Sequence, residues 1–86
     1  MGELDRILPR IEAAFRKTFG PKVEFSPNLR RDTLQAWDSL AHITLLVNLE
    51  KEFAIRFEYG DVVDIQGIRM IADYLDKTMA KQSDAV

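Results

Sequence analysis

The chain has 86 residues, no cysteine and a single histidine, with 47% hydrophobic and 30% charged residues. That is the balance of one small globular domain rather than a disordered segment, and a domain this short has little room for an enclosed active site. Without cysteine there is no disulfide framework, thiolate zinc site or cysteine nucleophile. His42 alone is poor provision for a multi-histidine metal site or a conventional Ser/His/Asp enzyme. Twelve Lys+Arg against fourteen Asp+Glu give a net charge of −2, which offers no electrostatic case for nucleic acid.

Met1 to Glu12 alternate charges with leucine and isoleucine, unlike the continuous apolar stretch of a signal peptide. Arg6 stands where a myristoylation motif needs Ser or Thr. No segment approaches the roughly 20 apolar residues of a membrane span. The expected address is cytoplasmic, without membrane insertion.

Leu4, Ile7, Leu8, Ile11, Ala14, Phe15 and Phe19 recur at spacings of three and four, which predicts a first helix with one apolar stripe. Gly20-Pro21 stops it, since glycine takes a left-handed cap freely and proline cannot continue the ladder. Pro9 implies either a helix that begins near it or one that is kinked there. Residues 21–37 form a long connection with Pro21, Pro27 and Asn28, and with Val23, Phe25, Leu29 and Leu34 as scattered apolar anchors. A loop of that length in a small domain is usually functional or threaded across the core.

A second helix is expected to open at Asp38 or Ser39, both good caps, and to run to Phe53. Ile55 and Phe57 alternate like a strand but have no partner strand, so they read as loop anchors. A short helical turn is expected from Asp61 to Ile65, opened by Gly60-Asp61. The last helix carries Ile68, Ile71, Ala72, Leu75 and Met79 on one face, and residues 81–86 are expected to fray. The fold class is therefore all-α: a small four-helix bundle, three principal helices plus a short third one, with a long first loop and a single domain over residues 1–80.

The second helix carries more apolar surface than a core stripe requires. At about 100° per residue, Leu45, Leu46, Leu49 and Phe53 share a broad face that Leu40, Ile43 and Val47 extend, while Thr44, Asn48 and Lys51 fill the polar remainder. Either the helix is buried on most sides, or Leu40, Ile43 and Val47 form a docking strip near its amino-terminal end.

Ser39 follows Asp38 and precedes Leu40, a weak tripeptide by itself. Its surroundings add specificity: Leu34-Gln35-Ala36-Trp37-Asp38-Ser39-Leu40, then Leu45 through Ile55, and the closing Ile68-Arg69-Met70-Ile71-Ala72-Asp73-Tyr74-Leu75. With the chain length, the long first loop and the short third helix, this resembles the acyl carrier proteins from about residue 4 to residue 77. The resemblance implies that Ser39 bears a 4′-phosphopantetheine arm, transferred from coenzyme A by a separate phosphopantetheinyl transferase, with Asp38 and Leu40 completing the motif. It implies a non-catalytic, monomeric carrier whose arm thiol holds an acyl, hydroxyacyl or aminoacyl group as a thioester for acyl-loading and acyl-processing enzymes. The partner surface it implies comprises Leu40, Ile43, Thr44, Val47, Glu50 and Lys51 on the second helix, with Asp61, Asp64 and Ile65 beyond it, although Asp61 and Asp64 read most simply as parts of the short helix and its cap. No metal is implied.

The chain departs from that family in charge. Carriers of fatty acid synthesis are strongly acidic along the second helix, whereas the matching positions here are Ala41, Thr44, Glu50 and Lys51. Residues 1–37 hold seven bases and five acids, residues 38–65 two bases and six acids, and residues 66–86 three of each. Since charge complementarity sets partner choice, the expected partners differ from those of the housekeeping carrier, in fatty acid-like, polyketide or other specialised biosynthesis. Ile65 and Ile68 are expected to line the region that shields an acyl chain. Trp37 reads either as a core aromatic closing the loop or as a contact for the arm or a partner; His42 reads as a core-satisfied or solvent-edge side chain before a contact for the phosphate or a partner, and Arg30-Arg31 as a solvated pair. An alternative outside the carrier class is an unmodified helical interaction subunit, and an enzyme is the remaining one. Asp38 ahead of the serine favours the acyl type over peptidyl carriers, which usually have glycine there.

Overall fold

The computed structural model describes residues 3–84, with side chains for residues 5–79. Four α-helices follow one another: α1 (Glu3–Phe19), α2 (Ser39–Phe53), α3 (Tyr59–Val62) and α4 (Ile68–Asp84), with a single 3₁₀ turn at Arg31–Thr33 in the first connection. Among the described residues there is no strand, only one isolated antiparallel bridge between Arg30 and Gly67. The molecule is an all-α bundle, and α1 packs against both α2 and α4.

The apolar periodicity becomes the core. Ile7, Ile11, Ala14 and Phe15 of α1 are buried against Leu45, Leu46, Leu49 and Phe53 of α2 and Ile68, Ile71, Ala72 and Leu75 of α4. A fully buried side chain of this kind contributes about 1.5–3 kcal/mol. The ion pairs Arg10–Glu52 (3.4 Å), Arg16–Glu12 (3.2 Å), Arg30–Asp32 (3.3 Å) and Lys77–Asp73 (3.2 Å) are all at least partly solvated. Exposed pairs add at most about 1 kcal/mol each, so burial holds the bundle.

The connection after α1 is threaded across the core. The Gly20 amide donates to the Arg16 carbonyl at 2.8 Å, with Gly20 at φ 88°, the left-handed stop that the sequence signals. Phe25 then packs edge-on against Phe15, 5.3 Å between centroids. Further on, the Ile68 amide donates to the Leu29 carbonyl (2.9 Å) and the Arg31 amide to the Gln66 carbonyl (2.7 Å). These bonds pin the loop to the start of α4. A Cβ on Gly67 would lie 2.8 Å from the Leu29 oxygen, so the close approach needs glycine.

Several expectations are corrected. α1 runs through Pro9, which stands inside the helix on an exposed position; the helix does not begin at it, because burial of Ile7 on the same stripe outweighs one missing backbone donor. The side chain of Leu4 lies outside the described residues. The short helix is Tyr59–Val62, two residues earlier than expected, with Gly60 inside it rather than opening it. Its register follows Val62, which is buried at its end. α4 runs on to Asp84, into the segment expected to fray; Ala85 and Val86 lie outside the described residues. Arg30 is exposed and paired with Asp32, whereas Arg31 is half-buried. Ile55 is buried and Phe57 partly so, its ring 5.5 Å from that of Tyr74, as loop anchors.

Ala54 ends α2 in the left-handed conformation (φ 55°, ψ 46°), which costs an L-residue about 1–2 kcal/mol. Ala54→Gly relieves that strain but loosens the unfolded chain by about 0.4–1 kcal/mol. The expected net gain is about 0.5 kcal/mol in urea unfolding. Gly67→Ala, in the same experiment, is expected to lose about 1–3 kcal/mol.

Candidate functional site

The chemistry-bearing residues collect where the first connection enters α2. Asp38, in extended backbone, caps the helix: its Oδ1 accepts from the Ala41 amide at 2.8 Å, and its carbonyl accepts the His42 amide at 2.9 Å. Ser39 is therefore the first helical residue and not the cap. Its side chain is exposed and the capping duty is discharged by its neighbour. With the Ala41 amide occupied, the Ser39 and Leu40 amides remain as first-turn donors without a partner inside the helix.

Downstream, α2 is divided by burial. Leu45, Leu46, Leu49 and Phe53 are core. Leu40 is 73% exposed, and Ile43 and Val47 are each 42% exposed. The latter three follow at spacings of three and four, so they form one apolar strip on the surface. The first of the two readings, burial on most sides, is thereby ruled out. Thr44 is exposed beside the strip, its hydroxyl donating to the Leu40 carbonyl at 3.1 Å. Lys51 is exposed near the far end of the helix.

Other expected partner residues are placed differently. A Glu50 carboxylate oxygen accepts from the Phe57 amide at 2.8 Å, so it holds the chain after α2 as well as carrying charge. Asp61 and Asp64 are exposed on and just after α3. Ile65, at 4% exposure, and Ile68, at 0%, are core side chains. The surface role expected of Ile65 is corrected accordingly, because packing claims its side chain. Asn48, expected in the polar remainder, instead turns to α1 and donates to the Thr18 hydroxyl at 2.9 Å.

Trp37 and His42 are both internal. Trp37 is buried, with Phe15 and Phe19 at 6.2 and 5.9 Å between centroids, which is the core-aromatic alternative. His42, 2% exposed, is the one buried polar or charged side chain among the described residues. The Trp37 indole Nε1–H donates to His42 Nδ1 at 3.0 Å, and His42 Nε2 lies 3.0 Å from the Val62 carbonyl. Indole nitrogen is only a donor and a carbonyl only an acceptor, so Nδ1 is bare and Nε2 carries the proton. Desolvation holds the His42 pKa below 6.5; the Val62 hydrogen bond works against this, and the nearby Arg31 charge adds to it. With its ring fully engaged, His42 has no free nitrogen to serve Ser39 as a base.

Sequence reasoning missed Val62, Tyr59 and Val63. The bond to His42 holds the Val62 end of α3 to α2, and Tyr59 (57% exposed) and Val63 (38%) are exposed apolar side chains on and just after α3. The pattern Tyr59-Gly60-Asp61-Val62-Val63 was the available signal, but a single turn is too short to reveal which apolar residue faces inward. Among the described residues, no cluster of three or more His, Cys, Asp or Glu could hold a metal, and no helix is long and apolar enough to cross a membrane. A cleft of about 450 Å³ between α1 and α4, lined by Leu8, Pro27, Arg69 and Asp73, lies among residues outside the Ser39 region.

The cap assignment separates two adjacent residues. Asp38→Ala is expected to cost about 1 kcal/mol, whereas Ser39→Ala should change stability by less than about 0.5 kcal/mol. Chemical denaturation of the two variants against the parent checks this; equal losses would return Ser39 to a capping role.

Compared with known proteins, the chain matches no family model, no curated protein and no solved structure.

Proposed function

We propose that the chain is an acyl carrier, in which Ser39 bears a 4′-phosphopantetheine arm and the arm presents thioester-bound acyl groups to partner enzymes. The observation that carries this reading is the exposed Ser39 at the start of a 15-residue helix, relieved of capping by Asp38 and followed by the open strip Leu40, Ile43 and Val47. A serine serving as the cap would hold the bond that Asp38 holds here, which supports the attachment reading.

The residues fit the group. A phosphodiester on Ser39 would lie at the helix amino terminus, where unpaired amides and the dipole favour an anion. The Asp38 carboxylate opposes it. For exposed charges each effect is worth about 1 kcal/mol, so the two nearly cancel and the covalent bond is what retains the arm. In the loading step the Ser39 Oγ forms the new phosphorus–oxygen bond, the pyrophosphate link of coenzyme A breaks, and the adenosine bisphosphate leaves. The transferase supplies the base, consistent with a site in which His42 is fully engaged. Once bound, the arm supplies the thiol that the cysteine-free chain lacks. The chain's own residues position Ser39 and offer an apolar landing strip.

Partner choice follows from charge. Asp38 at the α2 cap and Asp61 and Asp64 on and just after α3 are acidic and exposed, but Thr44 and Lys51 interrupt the acidic run on α2 itself. Enzymes that read a continuous acidic helix should bind this chain poorly, which favours partners in polyketide or other specialised biosynthesis.

Intact mass after incubation with coenzyme A and a broad-specificity phosphopantetheinyl transferase is the test. The parent protein is expected to gain one phosphopantetheine and Ser39→Ala none. No gain in the folded parent would favour an unmodified interaction subunit that uses the same strip, and a gain in Ser39→Ala would displace the site. For the loaded protein, elongation by fatty acid synthesis enzymes is expected to be slow; efficient turnover would remove the argument from charge.

A further inference from the structure

Three separate parts of the chain meet on His42. Trp37 belongs to the connection and stands two residues ahead of Ser39, His42 belongs to the first turns of α2, and Val62 is the buried residue of α3. We propose that the Trp37–His42–Val62 relay is a proton-operated latch, closed while His42 is neutral, that ties the segment entering α2 to α3. The latch is a property of the chain itself and stands whether or not Ser39 carries an arm.

Geometry requires the neutral ring. Nδ1 must offer a lone pair to the Trp37 N–H, and Nε2 must offer a proton to the Val62 carbonyl. A proton added to Nδ1 sets two N–H groups against each other, so the Trp37 bond is lost. It also places a cation in a site from which water is excluded. The surroundings do not compensate. Behind Trp37, α1 presents the rings of Phe15 and Phe19, and the 3₁₀ turn presents Arg31, whose charge disfavours a second cation. The carboxylates of the adjoining elements, Asp38 at the α2 cap, Glu58 before α3 and Asp61 within it, are all exposed to water.

The Nε2–H bond to Val62 does not itself need the neutral ring; what parts the ring from α3 is the pull of the buried cation toward water, and α3 is the weakest element packed on it. α3 has four residues, far below the length at which a helix holds itself, so it depends on Val62 burial and on the His42 bond. Tyr59 and Val63, exposed apolar side chains on and just after α3, move with it. The sign follows from linkage. With the folded pKa depressed, the unfolded chain takes up the proton first, so stability is complete above pH 6.5 and declines as pH falls from there through the folded value.

NMR of the unmodified full chain, with nitrogen-15 in histidine and the backbone, tests the latch. At neutral pH His42 should show the Nε2–H tautomer. On acidification below pH 6.5, the Trp37 indole proton and the amides of residues 59–63 should shift and exchange faster with the midpoint of the imidazole, while α1, α2 and α4 stay protected. His42→Gln can keep both bonds, its oxygen accepting from Trp37 and its amide donating to Val62, but it cannot titrate; the pH response should vanish. Trp37→Phe keeps an apolar ring and removes the donor, so the His42 midpoint should rise by about one unit, the equivalent of one hydrogen bond. An Nδ1–H tautomer, a His42 that does not titrate before global unfolding, α3 amides that move with a different midpoint, or a response retained in His42→Gln would each overturn the proposal.

Discussion

A four-residue helix has no stability of its own, and in this molecule the position of α3 is decided by what it can bury and bond. Val62 inserts into the core, and its carbonyl takes the Nε2–H of His42. The other nitrogen of the same ring takes the indole N–H of Trp37. A buried polar group left unpaired costs about 1–3 kcal/mol, so the imidazole is tolerated in the core because both of its nitrogens are satisfied. Two hydrogen bonds thus set the relation between the long connection, α2 and α3. The exposed surface around Ser39 inherits its shape from that arrangement.

At the start of α2, the capping bond and the exposed hydroxyl fall on different residues. Asp38 takes the capping bond, which leaves Ser39 in the first turn with an exposed hydroxyl. The apolar residues divide in the same way. Those at the Leu45, Leu46 and Leu49 positions hold the bundle together, while Leu40, Ile43 and Val47 are withheld from it. Exposed apolar side chains that line up at helical spacing are more informative than single ones scattered over a surface. Here they begin beside the serine proposed to carry the arm, and this coincidence joins the attachment reading to the docking reading. The ion pairs of Arg10, Arg16 and Arg30 use up part of the positive lean of the first helix and loop. The charge that distinguishes this surface is therefore the broken acidic run of α2 more than a basic patch on α1.

Much of the architecture was legible in the residues. The stripes of α1 and α4, the Gly20 stop and the span of α2 follow from periodicity and from cap chemistry, both of which act over a few neighbouring residues. Pro9 was ambiguous because a local rule, the missing donor, competes with burial of the stripe on either side of it, and the competition is settled only by what α1 packs against. The start of α3 was misplaced because Gly60-Asp61 resembles a helix opening, whereas the inward position of Val62 sets the register. Ile65 was assigned both to the partner surface and to the lining that shields an acyl chain, since no local signal separates the two; packing places its side chain inside. The left-handed Ala54 had no signal at all, since glycine or asparagine is the residue that normally marks such a turn.

The amino-acid sequence by itself determined that the chain forms three long amphipathic helices and a short one, and that Asp38-Ser39-Leu40 stands at the head of the most apolar of them. Those properties depend on spacing and on neighbouring side chains, which the order of residues specifies directly. Only the tertiary structure decided which apolar residues of α2 remain outside, that Glu50 braces the following loop, and that Trp37, His42 and Val62 form one relay. The last two join residues at least five positions apart, with Val62 standing 20 beyond His42. Contacts of that kind exist once the helices have packed, because burial chooses the partner and the hydrogen bond then fixes the orientation.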